Sequence, residues 1–221
     1  MGGMHIVNTG DGSHTVTSRF SGEHYHSTHG AVGESLHVFL RHGLDALGPR
    51  AQIRVLEMGF GTGLNALLTR LRARRLEQLI DFVSVESQPL PQSIISQLNY
   101  GRTVEGATDD MLAQLHAASW GEVVQLDPFF LLQKVHARIE EVELVRSFNA
   151  VYYDAFGPAY QPELWTRDLF ARMYDVLLPG GVLVTYCAKG QVKRDLREAG
   201  FIVESLPGPP GKREMTRARK V

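Results

Sequence analysis

Apolar positions in the 221-residue chain fall into short continuous runs separated by stripes of helical period. Runs at Ile53–Glu57, Ile80–Glu86, Phe129–Val135, Ala150–Asp154, Gly181–Cys187, Phe201–Ser205 and Glu214–Ala218 have the length and composition of buried strands. Helical stretches lie between them at Leu64–Arg75, Pro91–Leu98, Glu163–Leu177 and Gln191–Ala199. Strand alternating with helix predicts a parallel sheet covered on both faces. The last two runs flank Pro207-Gly208-Pro209-Pro210-Gly211, turn chemistry suited to an antiparallel return. Upstream, His5-Ile6-Val7 and Thr15-Val16-Thr17 flank Gly10-Asp11-Gly12-Ser13, which predicts a β-hairpin. A helix is expected from Ala31 to Leu47, with Leu36, Phe39, Leu40, Leu44 and Leu47 on one face and Gly48-Pro49 ending it. Residues 99–128 are longer than a strand connection needs. With a helix over Asp109–Ala118, they read as a small helical insertion.

The expected architecture is therefore α/β and Rossmann-like: a mostly parallel seven-stranded sheet with an antiparallel last strand. Residues 1–48 form a hairpin and helix that cover the ligand end, and residues 49–221 form the main domain, together one compact unit.

Composition narrows the class. Apolar residues make up 43% of the chain and charged residues 21%, as in a globular protein. No apolar run approaches the ~18 residues of a membrane span. The Met1-Gly2-Gly3-Met4-His5 start lacks a basic-then-apolar leader, so a cytoplasmic protein is expected. The single cysteine, Cys187, excludes an intrachain disulfide and reads as a core thiol rather than a nucleophile. Net charge is −1, so any basic face must be local. Arg70, Arg72, Arg74 and Arg75 complement a helix C-terminus. Lys189, Lys193, Arg194 and Arg197 on one helix, and Lys212, Arg213, Arg217, Arg219 and Lys220 in the tail, are candidates for phosphate contact; a merely solvated face accounts for them as well.

The densest chemistry is Glu57-x-Gly59-x-Gly61-x-Gly63, a strand-ending acid, a glycine turn and then a helix opening Leu64-Asn65. Glycines allow positive φ and let a ligand lie against the backbone. A bare Gly-x-Gly-x-Gly is as often an ordinary turn. The preceding acid, and a spacing one residue short of a dinucleotide loop, favour S-adenosylmethionine. Glu86 ends the next strand, where an acid accepts both ribose hydroxyls. Alone it would pass for a surface acid.

Another strand ends Asp154-Ala155-Phe156-Gly157-Pro158, similar to the Asp/Asn-Pro-Pro-Tyr/Phe signature of amino-group methyltransferases. A carboxylate there aims an amine lone pair and offsets charge growing on nitrogen, and Phe156 walls the transfer site. As a lone residue Asp154 is also a plausible turn or capping aspartate. His24, His26 and His29 lack the fuller ligand set of a metal site, and no metal is expected. Tyr25, His26 and Ser27 are read instead as a loop packing over the cofactor, with a roleless surface loop as the alternative. No Gly-x-Ser-x-Gly elbow supports a hydrolase.

Taken together, these blocks identify a resemblance. They are Tyr25-His26-Ser27, Gly33-Glu34-Ser35, Val38-Phe39-Leu40, Glu57 through Asn65, Ser84-Val85-Glu86, Asp154 through Pro158 with Gln161-Pro162-Glu163-Leu164-Trp165, Pro179-Gly180-Gly181 and Gly211-Lys212-Arg213-Glu214-Met215. The chain resembles the tRNA 5-methylaminomethyl-2-thiouridine methyltransferase family: the methyltransferase half of MnmC, or its standalone MnmD type. The resemblance implies a class I methyltransferase fold, S-adenosylmethionine as cofactor and tRNA as partner. It implies cofactor contacts at Glu57, Gly59, Phe60, Gly61, Gly63, Asn65, Glu86 and Asp154, with Asp154 also orienting the acceptor amine and Phe156 beside it. The third-strand position that reads adenine falls near Lys134 and Val135. Nucleic acid would meet Lys189, Lys193, Arg194, Lys212 and Arg213. Many relatives are fused to an oxidase that makes the amine; with no second Gly-x-Gly-x-x-Gly in this sequence, a separate enzyme is expected to supply it. Two other readings stay open: methylation of a small-molecule amine, and a non-catalytic RNA-binding module.

Overall fold

The computed structural model describes residues 3–18 and 22–221. Met1 and Gly2 of the N-terminal stretch, and residues 19–21, lie outside the described residues. The N-terminal hairpin pairs β1 (His5–Asn8) with β2 (His14–Thr17) in antiparallel register. Then α1 (Ala31–Leu47) leads into β3 (Gln52–Met58), α2 (Leu64–Leu76) and β4 (Leu79–Glu86). Short helices α3 (Gln92–Ile95) and α4 (Tyr100–Thr103) precede α5 (Asp109–Ala117), β5 (Val123–Asp127), β6 (Phe130–His136) and β7 (Phe148–Tyr153). The chain closes with α6 (Arg167–Val176), β8 (Leu177–Thr185), α7 (Gly190–Glu198), β9 (Ile202–Pro207) and β10 (Glu214–Arg219). Among the described residues no helix is long and apolar enough to cross a membrane.

The main sheet runs β5-β6-β4-β3-β7-β8-β10-β9. β6, β4, β3, β7 and β8 are parallel neighbours, and β10 is antiparallel to both β8 and β9, as expected for the last strand. Strand order reverses between β3 and β7, so their C-terminal ends open a crevice, where such sheets bind ligands.

Alternation along the strands sorts two cores. Ile53, Val55, Phe82, Tyr152 and Val184 face the layer that contains Phe39 of α1 and Leu64 and Leu67 of α2. Leu56, Val83, Tyr153 and Leu183 face the layer containing Phe170 of α6 and Leu196 of α7.

Three details differ from expectation. Among the described residues the sheet has eight strands, because Val123–Asp127, read as part of a helical insertion, pairs antiparallel with β6. Asp127 Oδ1 accepts the Phe129 N–H at 3.0 Å, an Asx turn that closes this hairpin. The helix expected over Pro91–Leu98 is regular only over Gln92–Ile95, and the one expected from Glu163 begins at Arg167, where Thr166 Oγ1 caps Leu169 N–H. Finally, α1 winds as a π-helix over Leu36–Leu44, between an α-helical start and a 3-10 end. The wider turn carries Leu36 out to 45% exposure and presents Gly43, where a Cβ would stand 2.9 Å from Val184.

Candidate active site

The crevice holds a cavity of about 720 Å³, within the range of small-molecule sites. Its floor is the turn after β3. Gly59, Gly61 and Gly63 adopt φ of 90°, 47° and 74°, the left-handed region that excludes most side chains. Gly59 lies beside the Asp154 carbonyl: an added Cβ would stand 3.4 Å from it. At Gly61 a Cβ would meet the Tyr25 ring at 2.9 Å, so this glycine admits the N-terminal segment to the loop.

The loop is gripped from two sides through Thr62. His26 Nε2 bonds Thr62 Oγ1 at 2.7 Å, and His116 Nε2, at the end of α5, donates to the Thr62 carbonyl at 3.0 Å. Burial lowers both imidazoles to a pKa of about 4; for His26, Glu34 opposes that shift and Lys212 adds to it. Phe60 packs edge-on against His116 and Trp120. Glu86, at the end of β4, accepts the Gly61 N–H at 3.0 Å and the Gln88 N–H at 2.7 Å, which fixes its carboxylate at the mouth.

The opposite wall is the turn after β7. Asp154 Oδ2 accepts from Asn65 Nδ2 at 2.8 Å. Burial, and then the charge of Glu34, hold its carboxyl well above the usual range, while the Asn65 bond and the Lys212 charge oppose that shift. Three side chains hold the turn: Gln161 Oε1 receives the Phe156 N–H at 3.0 Å, the Trp165 indole donates to the Phe156 carbonyl at 2.8 Å, and the Tyr186 hydroxyl donates to the Ala155 carbonyl at 2.8 Å. Tyr25 meets Phe156 edge to face at 4.9 Å and so bridges the two walls.

Of the residues singled out in the sequence, Tyr25, His26, Ser27, Gly59, Phe60, Gly61, Asn65, Glu86, Asp154 and Phe156 line this cavity. Four others do not. Glu57 is buried behind it, in register with Ser84 on β4, whose hydroxyl donates to Glu57 Oε2 at 2.6 Å; burial pushes its carboxyl well up. Gly63 faces His116 and the Phe60 ring. Lys134 is buried under the Phe60 and Trp120 rings with its ammonium on the His116 carbonyl at 2.7 Å, and Val135 packs into the α6 side of the core. β6 runs on to His136, so Ala137, Arg138 and Ile139 reach the cavity instead.

The basic residues also separate. Lys193 is buried on Glu214 and Ser205, both at 2.7 Å, and Arg217 and Arg219 share Glu204. Lys220 is buried over the Tyr174 ring. Lys212 joins Glu34 at 2.5 Å and lines the cavity. Lys189, Arg194 and Arg213 are exposed, and Lys189 and Arg213 line a second, adjoining cavity of about 640 Å³. Sequence reasoning assigns no role to Thr62, Glu34, Gln161, Trp165 or Tyr186, although most of them stand inside the motifs that carry the resemblance.

The donor set suits a sulfonium cofactor with an amino-acid tail. Among the described residues six carboxylates line the cavity: Glu23, Glu34, Glu86, Glu140, Asp154 and Glu163. The buried Asn65 Oδ1 has no hydrogen-bond partner among the described residues, which leaves an acceptor for an ammonium. A mostly parallel sheet whose switch-point crevice is floored by glycines and lined by acids has the form of a cofactor-binding α/β domain. A family model described as S-adenosyl-L-methionine-dependent methyltransferase matches residues 108–221, and the chain belongs to that family, with S-adenosylmethionine as its cofactor.

Among its relatives, the tRNA 5-methylaminomethyl-2-thiouridine biosynthesis bifunctional protein MnmC of Cupriavidus necator is 34% identical over 213 residues, covering 87% of this chain and 31% of that protein. The protein of the same name from Aromatoleum aromaticum is 34% identical over 231 residues, covering 96% of this chain and 34% of that one. The chain thus spans about a third of the length of the curated relatives it matches. The solved structure of MNMC2 from Aquifex aeolicus superposes with a TM-score of 0.81 at 28% identity, covering 99% of this chain and 71% of that one. Spermidine synthase from Thermotoga maritima shares the fold, with a TM-score of 0.58 at 14% identity, covering 97% of this chain and 67% of that one.

Proposed function

We propose that this methyltransferase acts on tRNA, converting 5-aminomethyl(-2-thio)uridine at the wobble position to its 5-methylaminomethyl form. The observation that carries the reading is Asp154, fixed by Asn65 across from the glycine loop in a cavity rich in carboxylates. The similarity to MnmC proteins over most of this chain supports this acceptor. When bound, S-adenosylmethionine supplies a sulfonium methyl: the amine lone pair forms the N–C bond, the S–C bond breaks with its electrons to sulfur, and the ammonium product sheds a proton.

The chain's own residues do the rest. Glu86 holds the ribose hydroxyls, and backbone groups of Ala137–Ile139 read adenine. Asn65 Oδ1 accepts from the methionyl ammonium. Tyr25, His26 and Ser27 close the N-terminal segment over the cofactor. Asp154 accepts the amine N–H groups, aims the lone pair and stabilises the charge growing on nitrogen. Phe156 walls the transferred methyl. Lys189 and Arg213, exposed beside the cavity, meet the tRNA backbone. A separate activity supplies the primary amine.

The test incubates the protein with S-adenosylmethionine and tRNA that lacks the final methyl, beside free polyamines. Mass spectrometry of wobble nucleosides one methyl heavier is the expected result. Methylated polyamine with unchanged tRNA would replace the acceptor with a small molecule, and failure to bind the cofactor would leave an RNA-binding module.

A further inference from the structure

An acid-lined cavity solves one problem and creates another. Carboxylates attract an ammonium, but they also hold its proton, and a protonated amine has no lone pair to attack with. The cavity carries six carboxylates against two Lys or Arg side chains among the described residues. One of these, Arg138, pairs with Glu140. The other is Lys212.

Lys212 projects from the turn between β9 and β10, and three contacts bring that turn to the site. Gly211 has φ +84° and no side chain, which lets the His29 ring pack where a Cβ would stand, at 2.1 Å. His37 Nε2 donates to the Pro207 carbonyl at 2.8 Å. The Lys212 ammonium then reaches Glu34 Oε2 at 2.5 Å and sits 4.0 Å over the Tyr186 ring, whose hydroxyl holds the Asp154 turn. Lys212, Tyr186, Tyr160 and Glu23 line both cavities, so the ammonium stands where the two spaces adjoin.

We infer that Lys212 is a positioning residue for the acceptor. Its positive charge, set between the two cavities, disfavours the protonated amine, so the nucleophile is held neutral as its proton leaves to solvent. This rests on the amine-acceptor reading above. It also withdraws Lys212 from the phosphate contacts expected of the basic tail, because the ammonium is committed to Glu34 inside the site.

The titratable groups around Lys212 come from every neighbouring element. The N-terminal segment brings Glu23, His26 and His29, and α1 brings Glu34. Asp154 and Tyr160 follow β7, and Tyr186, Cys187 and Lys189 follow β8. Arg213 and Glu214 flank it on its own hairpin. One feature sets Glu34 apart in this group: it is bonded to the ammonium itself. Its second oxygen accepts the Ser27 N–H at 3.0 Å.

The experiment is the pH dependence of single-turnover methyl transfer to tRNA lacking the final methyl, at saturating cofactor. Lys212→Met is expected to move the acid limb up by about one pH unit, roughly a tenfold loss of rate on that limb, with the alkaline plateau kept. Lys212→Arg is expected to restore the wild-type limb. Glu34→Gln, which leaves the cation unneutralised, is expected to move the limb down. Calorimetric titration with S-adenosylmethionine checks that each variant is folded. An acid limb that coincides with wild type in Lys212→Met, with a shallower salt dependence of tRNA binding, would make Lys212 a phosphate contact and overturn the inference. Should wild-type protein leave tRNA unmethylated, the acceptor reading falls first and the role of Lys212 with it.

Discussion

The two walls of the cavity are built by different means. The cofactor wall is backbone: a glycine turn between β3 and α2, with Thr62 clamped by one histidine from the N-terminal segment and one from the insertion. The acceptor wall is side chains. Asp154, Tyr186, Lys212 and Glu34 come from four places in the chain: Lys212 joins Glu34 by an ion pair and Tyr186 by a cation–π contact, the Tyr186 hydroxyl holds the Ala155 carbonyl next to Asp154, and Asn65 holds the Asp154 carboxylate. A backbone wall binds a constant ligand, and its demands concentrate in a few adjacent residues. A side-chain wall sets charge and proton occupancy, and its demands are spread over the fold.

Acid should separate the two walls most strongly. His26 and His116 are neutral when folded, with pKa values near 4 against 6.5 for an ordinary imidazole. Between those values the unfolded chain binds a proton that the folded chain refuses. Stability is therefore complete above pH 6.5 and falls as pH drops toward 4, by about 1.4 kcal/mol per pH unit for each histidine. Urea melts at pH 7 and pH 5 should show this loss, and His26→Gln should lose less between the two. Equal losses in both proteins would mean that Thr62 is not held by a neutral His26.

Glu86→Ala comes next. It removes the carboxylate that orders Gly61 and Gln88, and should weaken cofactor binding by about 1–3 kcal/mol. Unchanged affinity by calorimetric titration would take Glu86 out of the ribose site.

Much of the cofactor wall is legible in the sequence because it is local: a strand, an acid, three glycines and a helix follow one another over Ile53–Gly63 and the residues just after it. The Asp154 turn is legible for the same reason. Other positions depend on partners that a linear pattern does not carry. Lys193 looks like a surface cation until Glu214 and Ser205 arrive from the neighbouring hairpin. Lys134 and Val135 have the spacing of residues at the mouth, but β6 extends past them, so the residues that reach the cavity come next. Glu57 carries the right motif, yet strand alternation turns it toward Ser84 inside the sheet. Val123–Asp127 does carry a signal, a β-branched pair before an Asp-Pro turn, but the long connection around it reads more readily as a helical insertion.

The smallest effect concerns the outer surface. Neutralising Lys189 and Arg213 together should flatten the dependence of tRNA binding on log salt by about 0.7–0.9 for each phosphate left without its cation. Neutralising Arg217 and Arg219, which already share Glu204, should leave the slope near wild type. The reverse pattern would move the phosphate face to β10.

The division between walls is tested most directly by Asp154→Ala in a single-turnover assay at saturating cofactor and tRNA, with cofactor affinity measured on the same protein. An alignment role predicts a loss of about 10²–10³ in transfer rate, the effect of removing one preorganised electrostatic group, with little change in either ground-state affinity. Asn at this position should keep more activity than Ala, because its carbonyl still accepts one amine N–H. Wild-type transfer by the Ala variant would make Asp154 a structural turn residue and would contradict the separation of a binding wall from a reacting one.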